Sequence, residues 1–240
     1  MTQKWTPLPD PSPAVGRVTV VNAEALLFDL DGVLVDSAAA IDRHWREFAN
    51  WYELDADRLL GRTHGRRAAD TIMDLAGQLP VDPSEAIARY ETMEVGDQVG
   101  VGPLPGAPEV LALLSVCNWA VVTSGSMAVA QARLKTAGLP EPPVLICAQD
   151  VVRGKPDPAP YAQGALQLGL RPERTLAVED SPAGVESARG AGCATMALTT
   201  THNLGDLTSA NYACSNLRGV EVLRADEELI QLRVSDLLHV

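Results

Sequence analysis

Ala25-Leu-Leu-Phe-Asp29-Leu-Asp31-Gly32-Val-Leu-Val-Asp-Ser37 decides how the rest of the 240-residue chain reads. The apolar run Ala25 to Phe28 predicts a short strand, and its uninterrupted apolar character predicts one buried on both faces. Along an extended chain, side chains i and i+2 share a side. Asp29 and Asp31 therefore point into one small volume at a turn opened by Gly32. Two such carboxylates are costly unless a cation, a proton or a substrate group lies between them. Taken alone, the pair also reads as an ordinary Asp/Gly turn after a strand. Three further fragments, 119–126, 153–158 and 176–184, each end an apolar run with a polar group that the pair needs.

Hydrophobic residues make up 46% of the chain, enough for a globular core, and the length suits one domain or one domain with an insertion. The formal net charge of −12 argues against a nucleic-acid partner or an anionic membrane, so an anionic substrate must meet a local positive site. No run approaches the roughly 18 apolar residues of a membrane span. The first twenty residues hold four prolines and no apolar segment of signal-peptide length, which predicts a loose N-terminal tail over residues 1–22. Cys117, Cys147, Cys193 and Cys214 are widely spaced, with no C-x-x-C, and read as buried reduced thiols in a cytoplasmic protein.

Residues 38–102 read as helical throughout. Ser37 is an expected N-cap for a helix over 37–52, Asp55 to Leu60 suggests a short second helix, and Arg66 to Ala76 a third. Asp82-Pro83-Ser84-Glu85 starts a fourth. After the Gly/Pro-rich stretch 100–108, strands and helices alternate: helix 109–116, strand 119–123, helix 126–137, strand 144–148, helix 158–168, strand 175–179, helix 182–190 and strand 193–198. That alternation predicts an α/β fold with a parallel, Rossmann-like sheet covered on both faces. Strand 25–29 belongs to the same sheet. The expected division is thus a discontinuous core over 23–37 and 103–240, with an inserted helical cap over 38–102. Residues 227–234 read as a late strand or a hairpin.

Open α/β sheets bind ligands beyond the carboxyl ends of their strands. Asp29 and Asp31, Thr123 and Ser124, Lys155, and Glu179 and Asp180 all fall there. Clustered acids with a phosphate favour a hard divalent cation, usually Mg²⁺.

These fragments, Phe-Asp-Leu-Asp-Gly, Val-Val-Thr-Ser-Gly, Gly-Lys-Pro-Asp-Pro and Val-Glu-Asp-Ser-Pro-Ala-Gly, resemble in order the four motifs of the haloacid dehalogenase superfamily, in its subgroup with a helical cap after the first motif. The surrounding wording is similar to sugar and polyol phosphate phosphatases of the 2-deoxyglucose-6-phosphate and glycerol phosphate types. The resemblance implies a phosphatase in which Asp29 is the nucleophile that becomes an aspartyl-phosphate and Asp31 is the general acid and base. It also implies Mg²⁺ held by the Asp29 carboxylate, the Asp31 backbone carbonyl and Asp180, with Glu179 nearby or ligating through water. Thr123, Lys155, the Ser124 amide and Gly125 of the second motif would grip the phosphoryl group. The cap loop 61–67 supplies candidate leaving-group contacts in His64 and Arg66.

Asp31 argues against dehalogenation, since the dehalogenases lack the second aspartate. The absence of any lysine in 38–100 argues against the phosphonate hydrolases, which use a cap lysine. Hexose phosphate mutases carry a histidine where this chain has Ile41, and a Lys-Asn pair where it has Ser126 and Met127. A mutase and a catalytically silent phospho-ligand-binding module remain the alternatives. The expected partner is a small phosphorylated sugar or polyol, and the default assembly is a monomer.

Overall fold

The computed structural model describes residues 18–61, 63, 65–114, 119–226 and 228–235. Strand β1 (Thr19–Ala23) is followed at once by β2 (Ala25–Phe28), the strand expected from the opening stretch, with all four residues buried. Beyond it the chain turns through Asp29 to Leu34, the Leu34 and Val35 amides both donating to the Leu30 carbonyl, and enters β3 (Val35–Asp36).

The insert comprises α1 (Ala38–Trp51), α2 (Ala56–Leu60), α3 (Ala68–Asp74) and α4 (Pro83–Gly96). Asp55 and Asp82 cap α2 and α4 as their positions predict, accepting from the Arg58 and Ser84 amides. Ser37 does not cap α1. Its hydroxyl donates instead to Asp31 Oδ1 at 2.6 Å, because the turn brings that charged acceptor within reach. The insert has its own apolar cluster around Trp45, Phe48, Ile72 and Tyr90, with the Trp45 and Tyr90 rings 4.3 Å apart.

Strand β4 (Gly102–Pro103) returns the chain by pairing with β3, and α5 (Ala107–Leu113) follows. Then come β5 (Trp119–Val122), α6 (Met127–Thr136), β6 (Leu145–Ile146), α7 (Ala159–Gln167), β7 (Thr175–Glu179), α8 (Pro182–Ala191), β8 (Ala194–Leu198) and β9 (Tyr212–Cys214). The six-stranded sheet has the order β6-β5-β2-β7-β8-β9 and every pair in it is parallel. Strand β6 is shorter than expected because the Asp150 carboxylate takes the Cys147 amide and turns the chain out of the ladder.

Alternate residues of β2 serve opposite layers. Leu26 and Phe28 pack with Val110 and Leu111 of α5 and Leu134 of α6, whereas Leu27 packs with Tyr161 and Ala165 of α7 and Ala188 of α8. Each fully buried leucine or phenylalanine among them contributes about 1.5–3 kcal/mol. The sheet is therefore held from both faces, and its strand ends are rigid mounts for polar groups.

The late segment resolves as a hairpin, β10 (Val220–Ala225) and β11 (Ile230–Val234), with β1 added to form an antiparallel sheet ordered β1-β11-β10. Residues 19–22 thus lie in a strand and not in a tail. Val21 is buried opposite Leu232, which ties the segment to the core. Residues 1–17 lie outside the described part. Among the described residues, no helix is long and apolar enough to cross a membrane. Cys147 and Cys193 are buried free thiols and Cys214 is buried as well; Cys117 lies outside the described residues.

Candidate active site

The carboxyl ends of β2, β5 and β7 and the loop after β6 converge on one cavity of about 540 Å³ between the sheet and the insert. Asp29, Asp31, Thr123, Ser124, Gly125 and Asp180 line it, and Arg66 reaches it from the insert. Asp29 is fixed through its amide, which donates to the Val178 carbonyl of β7 at 2.9 Å.

Lys155 lies beneath this floor, 3% exposed. Its Nζ donates to Asp29 Oδ1 at 2.8 Å, to Glu179 Oε1 at 2.6 Å and to the Val122 carbonyl at 2.9 Å, which uses all three donors. Glu179 is equally occupied. Oε1 also accepts from the Tyr161 hydroxyl, and Oε2 accepts from the Asp180 and Ser181 amides and the Ser181 hydroxyl. Gly184 leaves the room for this carboxylate, since a Cβ there would sit 1.9 Å from Glu179 Oε1. Tyr161, whose ring also lies 5.2 Å from Nζ, belongs to the Lys-Pro-Asp-Pro-Ala-Pro-Tyr run, but nothing in the sequence assigned it a role.

Oxygen atoms of Asp29, Glu179 and Asp180 all lie within 4.8 Å of one another, and all three residues are buried. One lysine cannot balance three carboxylates. Burial pushes the Asp29 carboxyl up to about 7 against the pull of Lys155, with Glu179 and Asp31 adding to the rise. Burial, then Glu179 and Asp29, lift Asp180 well above the carboxylate range. For Lys155 itself burial works against the charge, but Asp29 and Glu179 outweigh it and the pKa rises. This surplus of buried negative charge fits a divalent cation. With Glu179 committed to donors, Asp29 and Asp180 are the pair with capacity for it. Asp180 is oriented by the Thr201 hydroxyl.

Asp31 sits at the rim, between Ser37 and a residue that sequence reasoning missed. Arg133 of α6 is 3% exposed, and its Nη1 donates to Asp31 Oδ2 at 2.5 Å while Nη2 donates to Glu94 Oε1 of α4 at 2.9 Å. The available signal was periodicity: Arg133 shares the buried face of α6 with Val129, Ala130 and Leu134, where an unpaired charge is costly. Burial pushes Glu94 up to about 7, with Arg133 opposing.

Three further contacts join the insert to the sheet side. The Ser124 hydroxyl donates to the Gly65 carbonyl at 2.9 Å. Arg67, for which sequence reasoning had no role, pairs with Asp70 and donates to the carbonyls of Ala148, Val151 and Val152. Arg66 lines the cavity but pairs with Asp74 at 3.0 Å. His64 lies outside the described residues. Thr123 Oγ1 accepts from the Gly125 amide at 3.0 Å, holding the loop against the cavity floor.

The family model for haloacid dehalogenase-like hydrolases matches residues 23–192. Hexitol phosphatase A of Escherichia coli (strain K12) is 40% identical over 210 residues, spanning 85% of this chain and 96% of that protein. Glycerol-1-phosphate phosphohydrolase 2 of Saccharomyces cerevisiae is 32% identical over 199 residues, 77% of this chain and 78% of that one. A crystal structure of a hydrolase from Pseudomonas syringae aligns with a TM-score of 0.72 over 80% of this chain and 94% of that chain, at 23% identity, a likeness of fold. A family match across residues 23–192 that takes in the whole carboxylate and lysine cluster places the conclusion beyond fold resemblance: the chain belongs to the haloacid dehalogenase-like hydrolases.

Proposed function

We propose that the protein is a Mg²⁺-dependent phosphatase that hydrolyses a small sugar or polyol phosphate monoester through an aspartyl-phosphate. The observation that carries this reading is the Lys155–Asp29 contact of 2.8 Å on the floor of a cavity whose rim bears Asp31. The relatives named above, a hexitol phosphatase and a glycerol-1-phosphate phosphohydrolase, support the substrate class.

In the first half-reaction an Asp29 oxygen attacks phosphorus, and the bond to the ester oxygen breaks as Asp31 gives that oxygen a proton. In the second, Asp31 takes a proton from water, the water oxygen attacks phosphorus, and phosphate leaves Asp29 as a free carboxylate. Lys155 orients Asp29 and offsets charge on the phosphoryl oxygens, and Thr123, Ser124 and Gly125 supply hydroxyl and amide contacts. Mg²⁺ bound by Asp29, Asp180 and the Asp31 carbonyl would keep Asp29 ionised at neutral pH and neutralise phosphoryl charge. Glu179 serves this arrangement by holding Lys155.

Residues 38–102 act as a cap over the core formed by 23–37 and 103–240, with β3 and β4 as its two connections. The contacts of Arg67, Ser124 and Arg133 across the cavity support a closed arrangement that excludes water from the reacting groups. The protein works as a monomer in the cytoplasm, where its buried thiols stay reduced; burial pushes Cys147 up to about 12 and Cys193 up to about 11.

Ile41 lines the cavity at the position where the hexose phosphate mutases of this superfamily carry a histidine, and this favours hydrolysis over mutase chemistry. The test is phosphate release from a panel of sugar and polyol phosphates with and without Mg²⁺, on the native chain and on Asp29→Asn. Metal-dependent release that disappears in the variant is expected. A folded, metal-supplied native chain that releases no phosphate from any member would overturn the reading in favour of a mutase or a silent binder.

A further inference from the structure

One face of α4 looks into the cavity: Ile87, Tyr90, Glu91 and Glu94, spaced i, i+3, i+4 and i+7, all line it. Among the described residues the Tyr90 hydroxyl has no hydrogen-bond partner, although the residue is 1% exposed. A buried hydroxyl without a partner costs about 1–3 kcal/mol, so its retention beside a cavity points to a ligand that completes it. The Tyr90 ring is held by Trp45, which also lines the cavity and offers an aromatic wall to C–H groups. Glu94 commits Oε1 to Arg133, and its other oxygen has no hydrogen-bond partner among the described residues. Glu91 adds a second carboxylate close enough to raise the Glu94 pKa. Two acceptor carboxylates and a phenol on one wall call for donors between them.

The charge of the cavity points the same way. Arg133 is spent on Asp31 and Glu94, Arg66 on Asp74, and Arg67 on Asp70 and three backbone carbonyls. Among the described residues, each arginine lining the cavity already faces a carboxylate, so the walls offer a second anion no unbalanced positive charge. We infer that Tyr90, Glu91 and Glu94 form the leaving-group subsite, which reads a neutral, hydroxyl-bearing chain and rejects a leaving group that carries a second phosphate or a carboxylate. This rests on the phosphatase reading above and extends it to residues of α4 instead of the 61–67 loop.

The test compares substrates that differ only in hydroxyls or in charge. Wild type should hydrolyse sorbitol 6-phosphate with a kcat/KM at least about 100-fold above n-hexyl phosphate, which has the same carbon chain without the hydroxyls. Tyr90→Phe should narrow that ratio about threefold to tenfold, the worth of one hydrogen bond, without lowering the melting temperature. A purely structural role for Tyr90 would lower both substrates together and leave the ratio unchanged. Fructose 1,6-bisphosphate should fall at least about tenfold below fructose 1-phosphate through repulsion by the carboxylates. Release from both hexyl and hexitol phosphates at equal efficiency, an unchanged ratio in Tyr90→Phe, or equal use of the bisphosphate would overturn the subsite and leave the phosphatase standing. No release by wild type from any of the four would overturn the phosphatase reading, and the subsite with it.

Discussion

Arg133 Nη1 lies 2.5 Å from Asp31 Oδ2, so the proposed acid and base is held by a cation on a different element of the fold, itself anchored to the insert through Glu94. Removing that cation leaves two carboxylates facing a buried methylene stem. Arg133→Met should lower kcat about 100-fold by freeing Asp31 from its working position, where small displacements are expensive. It should also cost about 3–5 kcal/mol of stability, the usual effect of breaking one side of a buried pair. Steady-state phosphate release and thermal melting check both effects, and wild-type turnover in a folded variant would exclude a positioning role.

Lys155 supplies the only cation within hydrogen-bond reach of Asp29 and Glu179 among the described residues. Lys155→Met should abolish measurable phosphate release and destabilise the fold by about 3–5 kcal/mol. Mg²⁺ should stabilise the native chain through mass action, by about 2.7 kcal/mol at 100 times its dissociation constant. Asp180→Asn should lose that increment. Melting curves with and without Mg²⁺ decide it, and an equal metal response in wild type and Asp180→Asn would remove Asp180 from the metal site.

Glu94 carries a pH signature. Burial raises its folded-state pKa from 4.5 to about 7, so between those values the folded chain holds a proton that the unfolded chain has released. The unfolded state then binds fewer protons, and stability falls as pH rises. The contribution is complete below about pH 4.5 and is lost as pH passes about 7, to a total of up to about 3 kcal/mol. Glu94→Gln removes this loss. Urea unfolding at pH 5 and pH 7.5 should show the variant gaining on wild type as pH rises, and a constant difference would rule out Glu94 as the titrating group.

The sheet and the core motifs were legible because they are local. Four apolar residues from Ala25 to Phe28 followed by Asp29 state a buried strand with a polar end, and the same logic finds Thr123, Glu179 and Asp180. Lys155 was legible as a motif, but its contacts with Glu179 and Tyr161 were not, since they depend on how two separate loops meet under the strand ends. Arg133 and Tyr90 escaped for a related reason. Each looks like an ordinary helix residue until tertiary packing places it against a cavity more than 30 positions away in sequence, as the pairing of Arg133 with Glu94 shows. β1 escaped because an edge strand is stabilised by a partner, β11, from the opposite end of the chain. Ser37 carries the reverse lesson: a residue with sound capping propensity has its hydroxyl turned to donate to the Asp31 carboxylate and accepts from no α1 amide.

Gly32 joins backbone and site chemistry most directly. Its φ of +78° lies in the left-handed region, and a Cβ there would fall 2.0 Å from Asp180 Oδ2 and 2.9 Å from Thr201 Cγ2. Gly32→Ala must therefore either distort the turn that carries Asp31 or displace Asp180 from beside Asp29. The expected result is a fall in kcat/KM of at least about 100-fold, together with a weakened Mg²⁺-induced rise in melting temperature. Gly77, in the insert, has no atom within 4 Å of the corresponding Cβ position, so Gly77→Ala should leave both readouts at wild-type values. A Gly32→Ala chain with native turnover and a native metal response would show that neither the turn nor Asp180 depends on the missing side chain. Loss in that variant alone ties the bare Cα at position 32 to the close approach of Asp31 and Asp180.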